Sequence, residues 1–458
     1  MITLAVVFII VLALLGAPLF VIMFLSTVLA YRQADIDLIN LFIMMGDMMD
    51  KPYLMPIPLF TLAGFLLARS QAPKRLVTFA EALCGWLPGG LAIVSVVTCV
   101  FFTTFTGASG VTIIALGGLL FPLLMSRGYS ERFSLGLITS SGSLGLLFFP
   151  ALPVFIYVTV YSLATDGRNP LSPEHIFLAG FFPGLIMMGL LIVFAVRYGL
   201  KLNIERKEFS MSALFRAFKG AIWEVSLPVW ILLALKSGQI GMSEIAVCTV
   251  SYLLFVEMVV YRDIHPFKEF PKVLLEAMQL VGAIVVILAI TLGYNNYLID
   301  AQIPQAILAW IQQYVTSPIM FLAGLNIFLL IIGCLMDIFS AMVAVLPLLI
   351  PLALAYGIAP EHLAIIFLAN LEIGYLTPPV GMNLFISSLH FDRPILQICK
   401  HVLPFMALLA IALMFITYVP SLSTWLPSVV LEKEETIDLY QPGEDDWSLE
   451  LLLEEGDE

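Results

Sequence analysis

Residues 370–385 read NLEIGYLTPPVGMNLF. The stretch lies in an apolar run long enough for a membrane helix, yet Thr377-Pro378-Pro379 stands at its middle with Gly374 and Gly381 alongside. A proline inside a helix removes a backbone donor and clashes one turn back, at a cost of about 3 kcal/mol. Two in succession, flanked by glycines, predict a helix interrupted partway across a bilayer.

The surrounding chain fits a bilayer setting. Of its 458 residues, 61% are hydrophobic and only 12% charged, and the mean hydropathy is +1.02, far from ordinary globular composition. Several apolar runs are long enough to span, including residues 2–30, read as a retained first helix. The net charge of −12 belongs to the end of the chain: residues 431–458 hold twelve acids against one lysine. No basic stripe interleaved with aromatics supports nucleic-acid binding. The five cysteines stand singly in apolar context, without metal or redox spacing, and read as small buried apolar residues. The five histidines are expected in loops or at helix ends, where they form no metal site.

Charge sets the expected orientation. The loop at 197–220 is rich in Lys and Arg and is expected on the cytoplasmic side, together with 69–75, 127–132, 261–272 and 390–400. This works only if 86–126 enters and leaves from inside and 317–355 from outside. Each has a weak point at its middle, TTFTGASG (103–110) and GCLMDIFS (333–340), so each is expected to be a re-entrant helical hairpin. The N-terminus and the acidic tail then fall on the periplasmic side.

Each hairpin precedes an interrupted helix, SLGLLFFPALP (143–153) and EIGYLTPPVG (372–381), with 38 residues from Gly107 to Gly145 and 37 from Asp337 to Gly374. The expected fold is an all-α polytopic membrane protein of the inverted-repeat secondary-transporter kind, with two re-entrant hairpins and two discontinuous helices. Its divisions are N-terminal scaffold helices (1–85), a transport half (86–196; hairpin 86–126, broken helix 133–163), a central cytoplasmic loop with scaffold helices (197–316), a second transport half (317–430; hairpin 317–355, broken helix 361–390) and the acidic tail (431–458).

Such breaks free backbone carbonyls at membrane depth, and hard cations take oxygen ligands. In TGASGVTIIALG (106–117), Ser109 and Thr112 offer hydroxyls; the same small residues also suit helix packing. In the second half, Thr377, the carbonyls around Pro378–Val380 and Asn383 offer oxygens. Asp337 reads equally as a functional carboxylate or as a cap on the helix that follows. Glu372 is readable as a structural group bonded across the break. Asn370 and Asn383 either hold the unwound segment or touch substrate. Glu224, Glu257 and Glu276 are expected at the interface, and IPQAILAWIQQYV (303–315) as an amphipathic helix lying there.

Enzymatic readings lack parts. No GxxxxGK[ST] supports ATP hydrolysis. GASG (107–110) matches a rhomboid-type G-x-S-G, but no histidine is expected in a membrane core to serve as base.

With these segments placed, the chain resembles the large membrane subunit of tripartite ATP-independent periplasmic (TRAP) transporters, the DctM type. IPLFTLAGFLLARS (57–70), LPGGLAIVSVV (87–97), TGASGVTIIALGG (106–118), GSLGLLFFPALPVFIY (142–157), CLMDIFSAMVAVLPLLIP (334–351) and NLEIGYLTPPVGMNLF (370–385) are similar to that family's motifs, in order, over roughly 1–430. The resemblance implies uptake of an organic anion coupled to Na+, with no covalent cofactor. It implies two partners in a bacterial inner membrane, a small four-helix DctQ-type subunit and a soluble periplasmic DctP-type binding protein, and an elevator motion of the transport domain. The family's sodium sites carry over to Ser109, Thr112, Gly145, Phe148 and Ala151, and to Asp337, Gly374, Thr377, Val380 and Met382. Substrate contacts carry over to Ala108, Ser109, Pro150, Pro379 and Asn383. Two departures fall in the first half: Gly107-Ala108-Ser109 where the family usually has G-S-S, and Phe149-Pro150-Ala151 where it has P-P-S. The alternative within transport is a sodium-coupled carboxylate symporter of similar fold that needs no binding protein.

Overall fold

The structure, a computed structural model, describes residues 2–15, 17–47, 54–165, 171–202, 208–237 and 240–438. Most of the acidic tail, including WSLELLLEE (447–455), and part of the loop at 46–51 lie outside the described residues.

All regular structure among the described residues is helical. The chain begins with α1 (Ile2–Leu14), α2 (Leu19–Gln33), α3 (Ile39–Asp47), α4 (Pro56–Arg69) and α5 (Ala72–Cys84). The segment predicted as the first hairpin folds as α6 (Gly90–Thr106) and α7 (Ser109–Ser126), joined by Gly107 and Ala108 alone. Gly107 closes α6 with a φ of +61°, a left-handed conformation that glycine adopts without strain.

The first interrupted helix follows as α8 (Glu131–Ser141), a 3-10 turn (Leu144–Leu147) and α9 (Leu152–Ala164), with a 45° bend across the break. The Ser130 hydroxyl caps α8 by accepting from Phe133 N, and Pro153 lies in the first turn of α9, where its missing N–H costs nothing.

Then come α10 (Pro173–Lys201), α11 (Met211–Ser237), α12 (Met242–Phe255) with a π-helical turn at Val256–Val260, α13 (Phe270–Asp300) and the short amphipathic α14 (Ile303–Gln312). The second hairpin is α15 (Pro318–Leu335) and α16 (Ile338–Ala355), again joined by two residues. The second interrupted helix is α17 (Pro360–Gly374) and α18 (Met382–Phe391), parted by the Thr-Pro-Pro segment; α19 (Ile395–Tyr418) and α20 (Ser421–Asp438) complete the chain. By length and composition eight described helices could cross a membrane, or nine if α8 and α9 form one bent span.

The packing is reciprocal. The first helix of each hairpin lies on the break of its own half, α6 on the 3-10 turn and α15 on α17. The second helix lies on the other half, α7 on α18 and α16 on α9. Two glycines permit the first kind of contact: a Cβ on Gly145 would sit 2.5 Å from Thr104 N, and one on Gly374 would sit 2.6 Å from the Gly333 backbone. The breaks are therefore pressed against the hairpins backbone to backbone.

Several sequence expectations change. Residues 2–30, read as one first helix, fold as α1 and α2 with Pro18 at the start of the second. Glu224 and Glu257 are fully buried rather than interfacial, because both reach Arg75 of α5. His401 lies well inside α19 rather than in a loop or at a helix end; His362, in the first turn of α17, is buried, its ring satisfied by the Ser423 hydroxyl at 2.6 Å and the Thr417 carbonyl at 3.2 Å. Of the five free cysteines, Cys99 and Cys334 are buried, whereas Cys248 is exposed on α12, a helix apolar enough to face lipid.

Candidate cation and substrate site

Three hydroxyls gather where α6 and α7 meet the first break. Thr103 and Thr106 lie three residues apart on α6, and Thr112 stands on the opposing face of α7. The Thr103 hydroxyl is 2.7 Å from that of Thr112 and 2.8 Å from each of the carbonyls of Cys99 and Gly142. Thr106 Oγ1 is 3.3 Å from Thr112 Oγ1 and 3.4 Å from the Ala108 carbonyl. Thr104 donates to the Gly145 carbonyl at 3.2 Å. Each hydroxyl carries one proton, so the oxygens crowded here outnumber the protons available to bridge them. The buried hydroxyls of Ser140 and Ser143, on either side of Gly142, have no hydrogen-bond partner among the described residues. An unbalanced nest of neutral oxygens in a dry surround is chemistry suited to a small hard cation.

Ser109 does not join this group. Its hydroxyl donates to Asn383 Oδ1 at 2.7 Å, linking the first tip to the start of α18 in the other half. Asn383 is fully buried; its backbone N–H donates to the Tyr375 carbonyl at 3.2 Å. Beside it the hydroxyls of Thr139 and Ser387 meet at 2.8 Å. A polar seam thus crosses the centre of the molecule between the halves. Of the remaining first-half residues, Gly145 and Ala151 are buried, Ala108 and Phe148 half-buried, and Pro150 is buried in a cis Phe149–Pro150 bond. The Phe148 carbonyl accepts from Ala151 N at 3.0 Å.

The second half-site is more open. Asp337 caps α16: one carboxylate oxygen accepts from the N–H groups of Phe339 and Ser340, each at 3.0 Å. Of its two sequence readings the cap is thus realised in this geometry. The second tip meets its break where Gly381 N donates to the Cys334 carbonyl at 3.2 Å and where Ile338 N donates to the Tyr375 hydroxyl. Thr377 Oγ1 donates to the Ile373 carbonyl at 2.9 Å, and the Gly374 carbonyl accepts from Thr377 N at 2.9 Å. Pro379, Val380 and Met382 are exposed. The carbonyls around this break therefore border the surface, whereas the first nest is enclosed.

Asn370 turns away from the break. Its amide donates to Asn326 Oδ1 at 2.7 Å and to the Ile366 carbonyl at 2.8 Å, and Asn326 in turn donates to Thr417 at 3.1 Å. That network ties α15, α17 and α19 together, while Asn370 Oδ1 has no hydrogen-bond partner among the described residues. Glu372 is fully buried and neither carboxylate oxygen has a hydrogen-bond partner among the described residues. Sequence reasoning missed Thr103, Thr106, Ser140 and Ser143. The signal was present in TTFT, whose first and last threonines share a helix face pointing at the tip.

The family model for the tripartite ATP-independent periplasmic transporter, DctM component, matches residues 6–422. The chain belongs to the DctM family. This DctM chain is 34% identical to the C4-dicarboxylate TRAP transporter large permease protein DctM of Vibrio cholerae, over 83% of its own length and 87% of that protein. It is 30% identical to the isethionate TRAP transporter permease protein DctMQ of Oleidesulfovibrio alaskensis, over 87% of its own length and 61% of that protein. Among solved structures, the YdaH transporter of Alcanivorax borkumensis shares the fold with a TM-score of 0.57 at 13% identity, covering 83% of this chain and 86% of that one. This DctM component is thus a transporter permease rather than an enzyme, a multi-pass protein of the inner membrane.

Proposed function

We propose that this DctM component couples inward sodium flow to uptake of an organic anion, a small carboxylate or sulfonate, handed over by a soluble periplasmic binding protein. Its second partner is a small four-helix DctQ-type membrane subunit. The observation that carries this reading is the enclosed nest of Thr103, Thr106, Thr112, Ala108 and Gly142 oxygens, which holds more acceptors than protons. A sodium ion in that nest would convert surplus acceptors into ligands. The matching half-site at Asp337, Gly374, Thr377, Val380 and Met382 closes around a second ion when the exposed break is covered. Substrate binds along the seam between the two nests, next to Ser109 and Asn383 and beside Ala108, Pro150 and Pro379.

The hairpins are re-entrant in this reading. A break lies partway along its span, so a hairpin tip seated on a break reaches mid-depth and returns, even though α7, α15 and α16 each have the length to cross. Irregular backbone at that depth is tolerated where it is buried in protein or lines a cavity. The two transport halves move together as an elevator against scaffold helices formed by the remaining spans. Orientation follows the basic loops, which leaves both termini periplasmic.

Energy is sufficient. Two sodium ions entering down about 100 mV and a tenfold concentration ratio release roughly 7 kcal/mol, enough for about five decades of an electroneutral substrate's gradient. Relatives named for C4-dicarboxylate and isethionate fit an anionic substrate whose identity is selected chiefly by the binding protein.

The test is uptake into proteoliposomes holding both membrane subunits, with the binding protein outside. A sodium gradient should drive accumulation and a proton gradient should not. Accumulation driven equally by protons alone, or undiminished without sodium, would overturn the coupling.

A further inference from the structure

Between α5 and the start of α11 runs an apolar groove of about 490 Å³, walled by Phe79 and Leu83 on one side and by Met211, Leu214, Phe215 and Phe218 on the other. Much of it faces outward: Met211 is 68% exposed, Phe215 67% and Leu83 45%. The groove is preformed, because its walls are tied together. Phe79 and Phe218 meet with ring centroids 5.8 Å apart, and Arg75 of α5 is paired with Glu224 of α11. Ser212 is the one polar residue in the lining. On α11 it begins a flank continued by Arg216 and Lys219, which lie beside the apolar face at helical spacing and are both exposed. On α5 the lone carboxylate, Glu81, is paired with Arg127 at 3.3 Å.

We propose that this groove holds an acyl chain of an anionic phospholipid whose phosphate lies against Lys219, Arg216 and the Ser212 hydroxyl. Depth and charge both favour that occupant. The groove opens at the end of a helix long and apolar enough to cross a membrane (Met211–Leu235), the level at which an acyl chain and a headgroup meet. Basic residues at such a level draw anionic lipid, each contributing enough for a several-fold preference. Trp86 and Phe209, in edge-to-face contact with centroids 5.9 Å apart, extend the same exposed aromatic surface. Because α5 leads directly into the first hairpin, a lipid seated here would bear on the connection between scaffold and hairpin.

Native mass spectrometry of the purified full chain with phosphatidylglycerol or phosphatidylcholine of matched chains reads this directly. Retention of phosphatidylglycerol should exceed that of phosphatidylcholine by about tenfold. Arg216→Glu with Lys219→Glu should erase the preference, and Leu83→Trp, which fills the groove, should lower retention of both lipids. Should the charge reversal prevent folding, Arg216→Gln with Lys219→Gln should give an intermediate loss. Equal retention of the two lipids, or a preference that survives in the charge variants, overturns the proposal. So does a photoreactive group at Phe215 that captures a protein segment in membranes rather than lipid.

Discussion

Ser109 and Asn383, 274 positions apart in the chain, share a 2.7 Å hydrogen bond that joins the first hairpin tip to the second interrupted helix. Both are buried, Asn383 completely. Removing one partner strands the other without water, at a cost of about 1–3 kcal/mol. Ser109→Ala and Asn383→Ala should each lower thermal stability and uptake, and the double variant should lose clearly less than the two losses added. Additive losses in a melting series would show that the pair does not act as a unit.

Gly374 lies against Gly333 with no room for a methyl group. Gly374→Ala must push α17 away from α15 at the break, and overpacking of this kind costs about 1–3 kcal/mol. The expected outcome is protein that still reaches the membrane but transports poorly. Gly145→Ala, pressed on α6, should behave alike. Normal uptake by either variant would remove the close approach from the mechanism.

Thr112→Val keeps shape and deletes a hydroxyl from the oxygen nest. The sodium concentration for half-maximal uptake should rise about tenfold, the effect of losing roughly 1.4 kcal/mol of ion binding, with little change in abundance. Thr103→Val should do the same, and Thr377→Ala should weaken sodium dependence through the second half-site. A lower maximal rate at unchanged sodium dependence would place these hydroxyls outside the ion site.

Arg75 faces three carboxylates, Glu224, Glu257 and Asp263, and stacks 3.7 Å from the ring centre of Tyr261. Burial works against its charge, but Asp263, Glu224 and Glu257 together push its pKa above the ordinary value. Arg75→Ala leaves carboxylates buried without their counter-charge, a loss of about 3–5 kcal/mol. The variant should be depleted from membranes and melt early in detergent, while Arg75→Lys, lacking the planar fork, should recover only part.

Tyr261 adds a pH signature. Burial first, and then Glu224, push its phenol up to about 12 from 10.0, and it donates to the Gly220 carbonyl at 2.7 Å. The raised value favours the neutral phenol in the folded protein. Its contribution is therefore full below pH 10 and lost as pH rises toward about 12. Tyr261→Phe should flatten the alkaline fall in melting temperature across that window; an unchanged profile would assign the fall to other groups.

The interrupted helices were legible because proline and glycine act locally: Thr377-Pro378-Pro379 and Phe149-Pro150 mark chain that cannot stay helical, whatever packs on it. The two-residue tips at Gly107-Ala108 and Met336-Asp337 were legible for a similar reason. What the sequence concealed depends on neighbours far along the chain. Glu224 and Glu257 looked interfacial because nothing local shows that Arg75 reaches them. Ser109 lies three residues from Thr112 on nearly the same helix face, but its hydroxyl donates to Asn383 Oδ1 in the other half, a partner that no local pattern shows. Thr103 and Thr106 passed for ordinary helix threonines, since each also has a carbonyl acceptor one turn back or at the tip.

The reciprocal seating of α7 on α18 and α16 on α9 bears on how the protein is made. When the ribosome has released the first half, α7 has α6 and α8 and α9 has α4 and α10 to pack on, but α18 and α16, on which they also lie, are not yet synthesised. Domains elsewhere fold as they emerge; here the packing of the opening half is completed only when translation is almost finished. Truncated nascent chains ending before α16 should therefore be less protected at the first break than the full chain, with the remaining protection gained once α18 has left the tunnel.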